Sequence, residues 1–310
     1  MLKFIVSRFF QGLLALFCVL TLTFFLSRFA PGSPYTDEKQ IPLHIREQMK
    51  EQMGLGDSIV VQWAKSMVDA ATGFQGPSWG NSGFSVREVI GQAFPVSISV
   101  GLSGLFIALG IGVPAGVLAA AKRNTKIDYS LMSIALLGIC LPTFVIGPIF
   151  AAIFGFQLQW FSAVGWNQPT DFLLPSLVLG LYYGAYIARL TRSGMLDTLS
   201  ADFIRTARAK GLPEWRVMII HALRGGLLPV VNYLGPAFSA LITGSFVVES
   251  IFGLPGLGTH FINAAKNRDY NLIQGTVCVF AILILTLNFV ADLLQAVLNP
   301  RLRNVSETAD

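Results

Sequence analysis

The residues best suited to chemistry in this sequence are a serine, three histidines and two glycine-rich runs. Gly101-Leu102-Ser103-Gly104 has the Gly-x-Ser-Gly pattern of an intramembrane serine protease. Such a nucleophile needs a base to take its proton. His44, His221 and His260 all fall outside the long apolar runs, so no imidazole is placed to serve Ser103, and small-residue helix packing is the better reading of the segment. A nucleotide site would need a phosphate-cradling loop. Gly110-Ile111-Gly112-Val113-Pro114-Ala115-Gly116 and Gly253-Leu254-Pro255-Gly256-Leu257-Gly258 are rich in glycine, but neither ends in the Lys-Ser/Thr pair that a P-loop uses. Close helix packing accounts for the first and a tight turn for the second. No His, Cys or acidic residues stand at metal-ligand spacing.

Two further segments have a functional pattern without catalytic groups. From Asp202 to Arg216 the chain is basic. Arg205 and Arg208 lie at i and i+3, with Phe203, Ile204 and Ala207 available for packing, which predicts a short amphipathic helix. Gly211 suits the left-handed position just past it, Pro213 the first turn of a second helix, and Glu214 the positive end of that helix dipole. The expectation is helix, sharp turn, helix; a solvated basic loop or a lipid-headgroup anchor is the alternative. Farther on, Asn232, Ser239, Thr243, Gly244, Ser245 and Glu249 form a run of small and weakly polar groups. They are the candidates to line a translocation pathway, with helix packing as the alternative reading.

The elements that must position these residues follow from composition. Of 310 residues, 53% are hydrophobic and only 13% charged, with mean hydropathy +0.62. That excludes a soluble enzyme, a disulfide-stapled secreted domain and a dedicated nucleic-acid binder, and makes lipid the solvent. Cys18, Cys140 and Cys278 all sit in apolar runs and are read as small hydrophobes. Uncharged stretches at 9–27, 89–121, 129–170, 172–188, 225–248 and 270–291 predict six transmembrane helices in an all-α polytopic membrane protein, the third ending near Phe154. The first is read as an uncleaved helix, because Ala30-Pro31-Gly32-Ser33-Pro34 is poor cleavage sequence. Between Pro34 and Glu88 lies a polar loop with short helical patterns at Leu43–Met53 and Val60–Ala71.

Orientation follows from the loops. One side collects fourteen Lys and Arg, including Lys3, Arg8, Lys122, Arg123, Lys126 and the Arg189–Arg224 connection; short loops on the other side hold only Lys266 and Arg268. The positive-inside rule then makes both termini cytoplasmic. Apart from Glu249 and Asp292 at span ends, the spans are free of ionisable groups, which speaks against ion coupling and for an external energy source.

The basic connection resembles the cytoplasmic coupling motif of ABC importer permeases, with Gly211 at the motif's glycine. Arg205-Thr206-Ala207 stands where Glu-Ala-Ala is usual, and His221-Ala222-Leu223-Arg224 where Ile-x-Leu-Pro is usual, followed by Leu228-Pro229. That is the form seen in the dipeptide and oligopeptide permease family, and the likeness is strongest to its oligopeptide B-type subunits. It extends through Arg28-Phe29-Ala30-Pro31-Gly32-Ser33-Pro34, Phe94-Pro95-Val96-Ser97 read as opening helix 2, Gly235-Pro236-Ala237-Phe238, Ile242-Thr243-Gly244-Ser245, Phe252-Gly253-Leu254-Pro255-Gly256-Leu257-Gly258 and Asn267-Arg268-Asp269-Tyr270.

The resemblance implies a type I ABC importer permease fold in a bacterial inner (plasma) membrane. It also implies a second homologous permease subunit forming a heterodimer, two cytoplasmic ABC ATPases carrying ATP and Mg, and an extracytoplasmic peptide-binding protein. No cofactor is expected in this chain itself. Arg205, Thr206, Ala207, Arg208, Ala209, Lys210, Gly211, Leu212 and Pro213 become the expected ATPase-coupling segment. The expected organisation is an N-terminal helix over 1–30, an outer loop subdomain over 31–94, a five-helix core over 95–298 with the coupling segment at 190–224, and a cytoplasmic tail over 299–310. The expected cargo is oligopeptides or related peptides such as dipeptides, with glutathione, a nickel chelate and a peptide antibiotic as the alternatives.

Overall fold

The computed structural model describes residues 2–30, 56–74, 76–80, 83–168 and 170–298. The expected helix over Leu43–Met53 and the tail over 299–310 lie outside these. Among the described residues the regular elements are helical: α1 (Leu2–Phe29), α2 (Ile59–Thr72), α3 (Val86–Ala121), α4 (Lys126–Cys140), α5 (Thr143–Phe150), α6 (Leu173–Leu199), α7 (Asp202–Ala209), α8 (Glu214–Arg216), α9 (Leu223–Gly226), α10 (Leu228–Ile251), α11 (Leu257–Lys266) and α12 (Tyr270–Leu298). A single antiparallel bridge, Pro77 to Ser85, is the only β pairing among these residues.

Five of these helices, α1, α3, α6, α10 and α12, are long and apolar enough to cross a membrane, and α4 with α5 makes a sixth if that bent pair is one span. The run expected as the third span is thus sharply bent, which its continuous apolar character did not reveal. Leu141 is extended (φ −86°, ψ 118°) and Pro142 follows at φ −62°, ψ 144°, so the chain turns by 101° before α5 and its π-helical continuation Ala151–Gln157. The cause is local: proline lacks a backbone N–H and pushes the preceding residue out of the helical region. Helix α3 also starts earlier than Phe94-Pro95. Ser85 and Glu88 form a capping box, Ser85 N–H donating to Glu88 Oε2 at 2.8 Å and Glu88 N–H to Ser85 Oγ at 3.2 Å, so the helix opens at Val86 with Pro95 inside it.

The chain forms two compact units, 1–96 with 255–286 and 97–254 with 287–310. In the first, Leu20, Phe74, Val86, Val89, Ala264, Leu272 and Cys278 pack together. Trp63 of α2 lies edge-on to Phe17 and donates to Thr21 Oγ1 at 3.3 Å, fixing α2 to α1. Buried Asp269 caps α12 by accepting from Leu272 N–H at 3.0 Å, and its other oxygen accepts from Ser78 Oγ at 2.6 Å and Gly80 N–H at 2.9 Å. In the second unit, α3 and α6 cross through small residues. A Cβ on Gly112 would meet Gly184 O at 2.5 Å, and one on Gly116 would meet Ala188 O at 2.5 Å. The first glycine-rich run is therefore a packing surface. Gly101 and Gly104 likewise abut Ile242 and Leu241. The second run is a turn, with Gly253 at φ +63°.

Candidate functional site

The basic connection folds as helix, turn, helix. In α7, Ile204 and Ala207 are buried, packed with Ala120, Met195, Val217, Met218 and Ala222, while Arg205, Thr206, Arg208, Ala209 and Lys210 face outward. Burial at i and i+3 is what holds so short and polar a helix in place. Phe203, expected as a packing residue, is instead 53% exposed, lying in the first turn at the edge of the face that Ile204 and Ala207 bury. Gly211 closes the turn at φ +77°, its N–H reaching Arg208 O at 2.9 Å. Nothing lies within 4 Å of where a Cβ would stand, so backbone conformation alone selects glycine there. Pro213 is the cap residue, and α8 begins at Glu214 and runs through π-helical Val217–Ala222 into α9.

A clasp spans the turn. Arg208 donates to both carboxylate oxygens of Glu214, Nη2 to Oε1 at 2.6 Å and Nε to Oε2 at 3.2 Å. The guanidinium holds the Glu214 carboxyl below its usual range, and the carboxylate holds Arg208 above its own. Around this basic turn the surface is apolar: Trp215, Ile219 and Ile220 are exposed, and Arg216 stacks 5.2 Å from the Trp215 ring centroid. The arrangement is an exposed helix–turn–helix that presents cationic and apolar groups side by side.

The polar residues of α10 divide between two faces. At 100° per residue, Asn232, Ser239 and Thr243 share one side and Ser245 and Glu249 the other. Ser239 Oγ and Thr243 Oγ1 donate to carbonyls of their own helix, Gly235 O at 3.0 Å and Ser239 O at 2.8 Å. Gly235, one turn before Ser239, lies so close to Ala291 of α12 that a Cβ would overlap it. On the opposite side Glu249 is fully buried and accepts from Ser97 Oγ of α3 at 2.7 Å and from Ser245 Oγ at 2.6 Å. Gly244 contributes backbone to α10 between the two faces.

Comparison with known proteins decides what this arrangement belongs to. Residues 112–304 match the family described as binding-protein-dependent transport system inner membrane component, and residues 1–101 match its N-terminal companion. The chain is 43% identical over 305 residues to the oligopeptide transport system permease protein OppB of Escherichia coli (strain K12), covering 98% of this chain and 100% of that one. The dipeptide transport system permease protein DppB of Bacillus subtilis (strain 168) is 35% identical, with 98% of each chain covered. The chain belongs to the family of binding-protein-dependent inner membrane transport components. A solved structure of the MetNI methionine ABC transporter in an inward-facing conformation superposes with TM-score 0.59 at 17% identity, covering 68% of this chain and 97% of that chain. The fold is that of a type I ABC importer permease, and the chain is a multi-pass transport component.

Within this permease an ion pair between a half-buried arginine and a buried aspartate escaped the sequence reading. Arg192 of α6 binds Asp128 of α4 through Nε to Oδ1 at 2.6 Å and Nη2 to Oδ2 at 2.7 Å. Asp128 also accepts from Asn124 N–H at 3.0 Å. Arg192 had entered only as a loop charge, and the 64-residue separation gave no local signal of its partner. Asp269 was missed for the same reason, since its partners Ser78 and Gly80 lie far upstream.

Proposed function

We propose that this permease is the membrane subunit of an ATP-driven importer that takes up oligopeptides handed over by an extracytoplasmic binding protein. The observation that carries the reading is 43% identity along essentially the whole chain to an oligopeptide permease subunit. In this reading the chain pairs with a second homologous permease and two cytoplasmic ATPases, which carry ATP and Mg. The exposed turn from Arg205 to Pro213 is where those ATPases dock, and both termini are cytoplasmic. The clustering of Lys and Arg in the connections beside α3–α4 and α6–α10 supports that orientation. On α10 the Asn232, Ser239 and Thr243 face borders the peptide route, with Gly244 beside it, while Ser245 and Glu249 hold the helix against α3.

The test is reconstitution with both ATPases, the partner permease and the binding protein. ATP-dependent uptake of labelled oligopeptides, with no ATP hydrolysis by the isolated chain, is the expected result. Uptake confined to glutathione or a nickel chelate would defeat the cargo assignment. The 35% identity to a dipeptide permease favours dipeptides as the second reading, and a peptide-length series separates the two. For orientation, cysteines placed at Lys122 and Arg208 should resist an impermeant reagent in intact cells, whereas one at Lys65 should react.

A further inference from the structure

At the end of α1 opposite the N-terminus, a cavity of about 230 Å³ is lined by residues of α1, α2, the 76–79 segment and the first turns of α12. Arg28, in the last turn of α1, has its guanidinium 4.5 Å from the centroid of the Tyr270 ring and 5.3 Å from that of Phe24. Its Nε is buried with no acceptor, and no carboxylate pairs with it among the described residues. Cation–π contact offsets only part of the cost of removing a guanidinium from water. An arginine with its fork geometry unfilled is matched to a phosphate or a carboxylate. On the α2 wall of the same cavity stands Asp69, whose carboxylate has no cationic partner among the described residues, since the neighbouring Lys65 is paired with Asp57 at 2.6 Å.

Depth separates the two kinds of anion. Arg28 sits on the terminal turn of a membrane-spanning helix, where Leu26 and Phe29 are 63% and 73% exposed, so an acyl chain can lie on the outer side of the turn that carries the cation. Trp79 and Tyr270 form an edge-to-face pair beside it, and such amphipathic rings favour the headgroup level of a bilayer. A charged group and its counter-charge are thus left open in one cavity at the polar edge of the membrane.

We propose that this cavity binds the headgroup of a zwitterionic phospholipid, its phosphodiester on Arg28 and its ammonium on Asp69. The site is independent of the cargo reading and requires only that α1 span a membrane. The permease would then carry a bound lipid of the ethanolamine class at the junction of α1, α2 and α12.

Native mass spectrometry of the full-length chain, titrated with phosphatidylethanolamine, phosphatidylglycerol, free phosphoethanolamine and inorganic phosphate, tests this. The wild type should retain phosphatidylethanolamine in preference to phosphatidylglycerol. Arg28→Gln should weaken that binding about tenfold or more, the scale of a lost charge-assisted hydrogen bond, and Arg28→Lys by less. Asp69→Asn, on a helix outside the spans, should erase the preference for ethanolamine over glycerol while phosphatidylglycerol still binds. Equal lipid binding by wild type and a folded Arg28→Gln would overturn the proposal, as would an unchanged headgroup preference in Asp69→Asn, which decides the matter if Arg28→Gln does not fold. Displacement of the lipid by phosphoethanolamine or inorganic phosphate at comparable concentration would assign the site to a soluble anion and defeat the lipid.

Discussion

Two bidentate arginine–carboxylate pairs among the described residues differ in where they stand. Arg192 and Asp128 bridge α6 and α4, with the Asp128 side chain only 1% exposed and Arg192 27%. Arg208 and Glu214 bridge the turn between α7 and α8, with side chains 45% and 60% exposed. The hydrogen-bond geometry is nearly the same. The surroundings reverse the consequences, because a buried charge left without its partner is costly whereas water replaces an exposed one. The first pair belongs to the packed bundle and the second to the exposed turn proposed as the ATPase docking surface.

The largest effect is expected from breaking the inner pair on one side. Arg192→Ala leaves Asp128 buried with only the Asn124 N–H as donor. Losing one partner of a buried pair costs about 3–5 kcal/mol, and the partial exposure of Arg192 puts this case near 3 kcal/mol. A large fall in the thermal midpoint of the detergent-solubilised chain is the expected outcome. Restoring neutrality with Asp128→Asn in the Arg192→Ala background should recover part of the loss. If the double variant is as unstable as the single one, the uncompensated carboxylate is not the cause.

Next comes the turn that the outer pair clasps. Gly211→Val places a β-branched residue at φ +77°, a backbone outlier worth about 1–3 kcal/mol of local strain. Because a Cβ there meets nothing, the strain should distort the turn without disturbing the bundle. The variant should keep its midpoint within a few degrees and its permease partner, and lose ATPase association or uptake. Gly211→Asn should be milder, since asparagine tolerates the left-handed region. Full transport by Gly211→Val would end the coupling assignment.

How far these two regions were legible in sequence also differs. The turn was readable because its signals are local: spaced arginines, a glycine and a proline within about ten residues fix helix, left-handed turn and helix. So were the apolar runs, whose length alone marks spans. The inner pair, the Ser97–Glu249–Ser245 cluster and the Asp269 anchor join residues far apart in the chain, and no spacing rule reaches that far. The polar run on α10 shows the intermediate case. Its composition is plain in the sequence, but the helical angle that separates Thr243 from Ser245 places its members on two faces. The bend at Leu141-Pro142 carried a local signal in its proline, which the continuous apolar run concealed.

The smallest effect should come from the outer pair itself. Glu214→Gln removes an exposed clasp worth roughly 0.2–1 kcal/mol, further reduced by salt. Its pH dependence has a definite sign. The folded-state carboxyl is held below its ordinary value by Arg208, so the clasp stabilises the turn at pH above the unfolded carboxyl's value, near 4.3, and the contribution disappears as pH falls through the lowered folded value. Arg208 stays protonated throughout and adds no dependence in this range. Amide hydrogen exchange across Arg208–Val217 should therefore be modestly faster in Glu214→Gln than in wild type at neutral pH, and the difference should close in acid or at high ionic strength. Lys210→Ala, which touches neither the clasp nor the glycine, should leave exchange unchanged. A Glu214→Gln effect that survives acid and salt would mean that the side chain acts through packing, and the contrast between the two arginine pairs would lose its electrostatic basis.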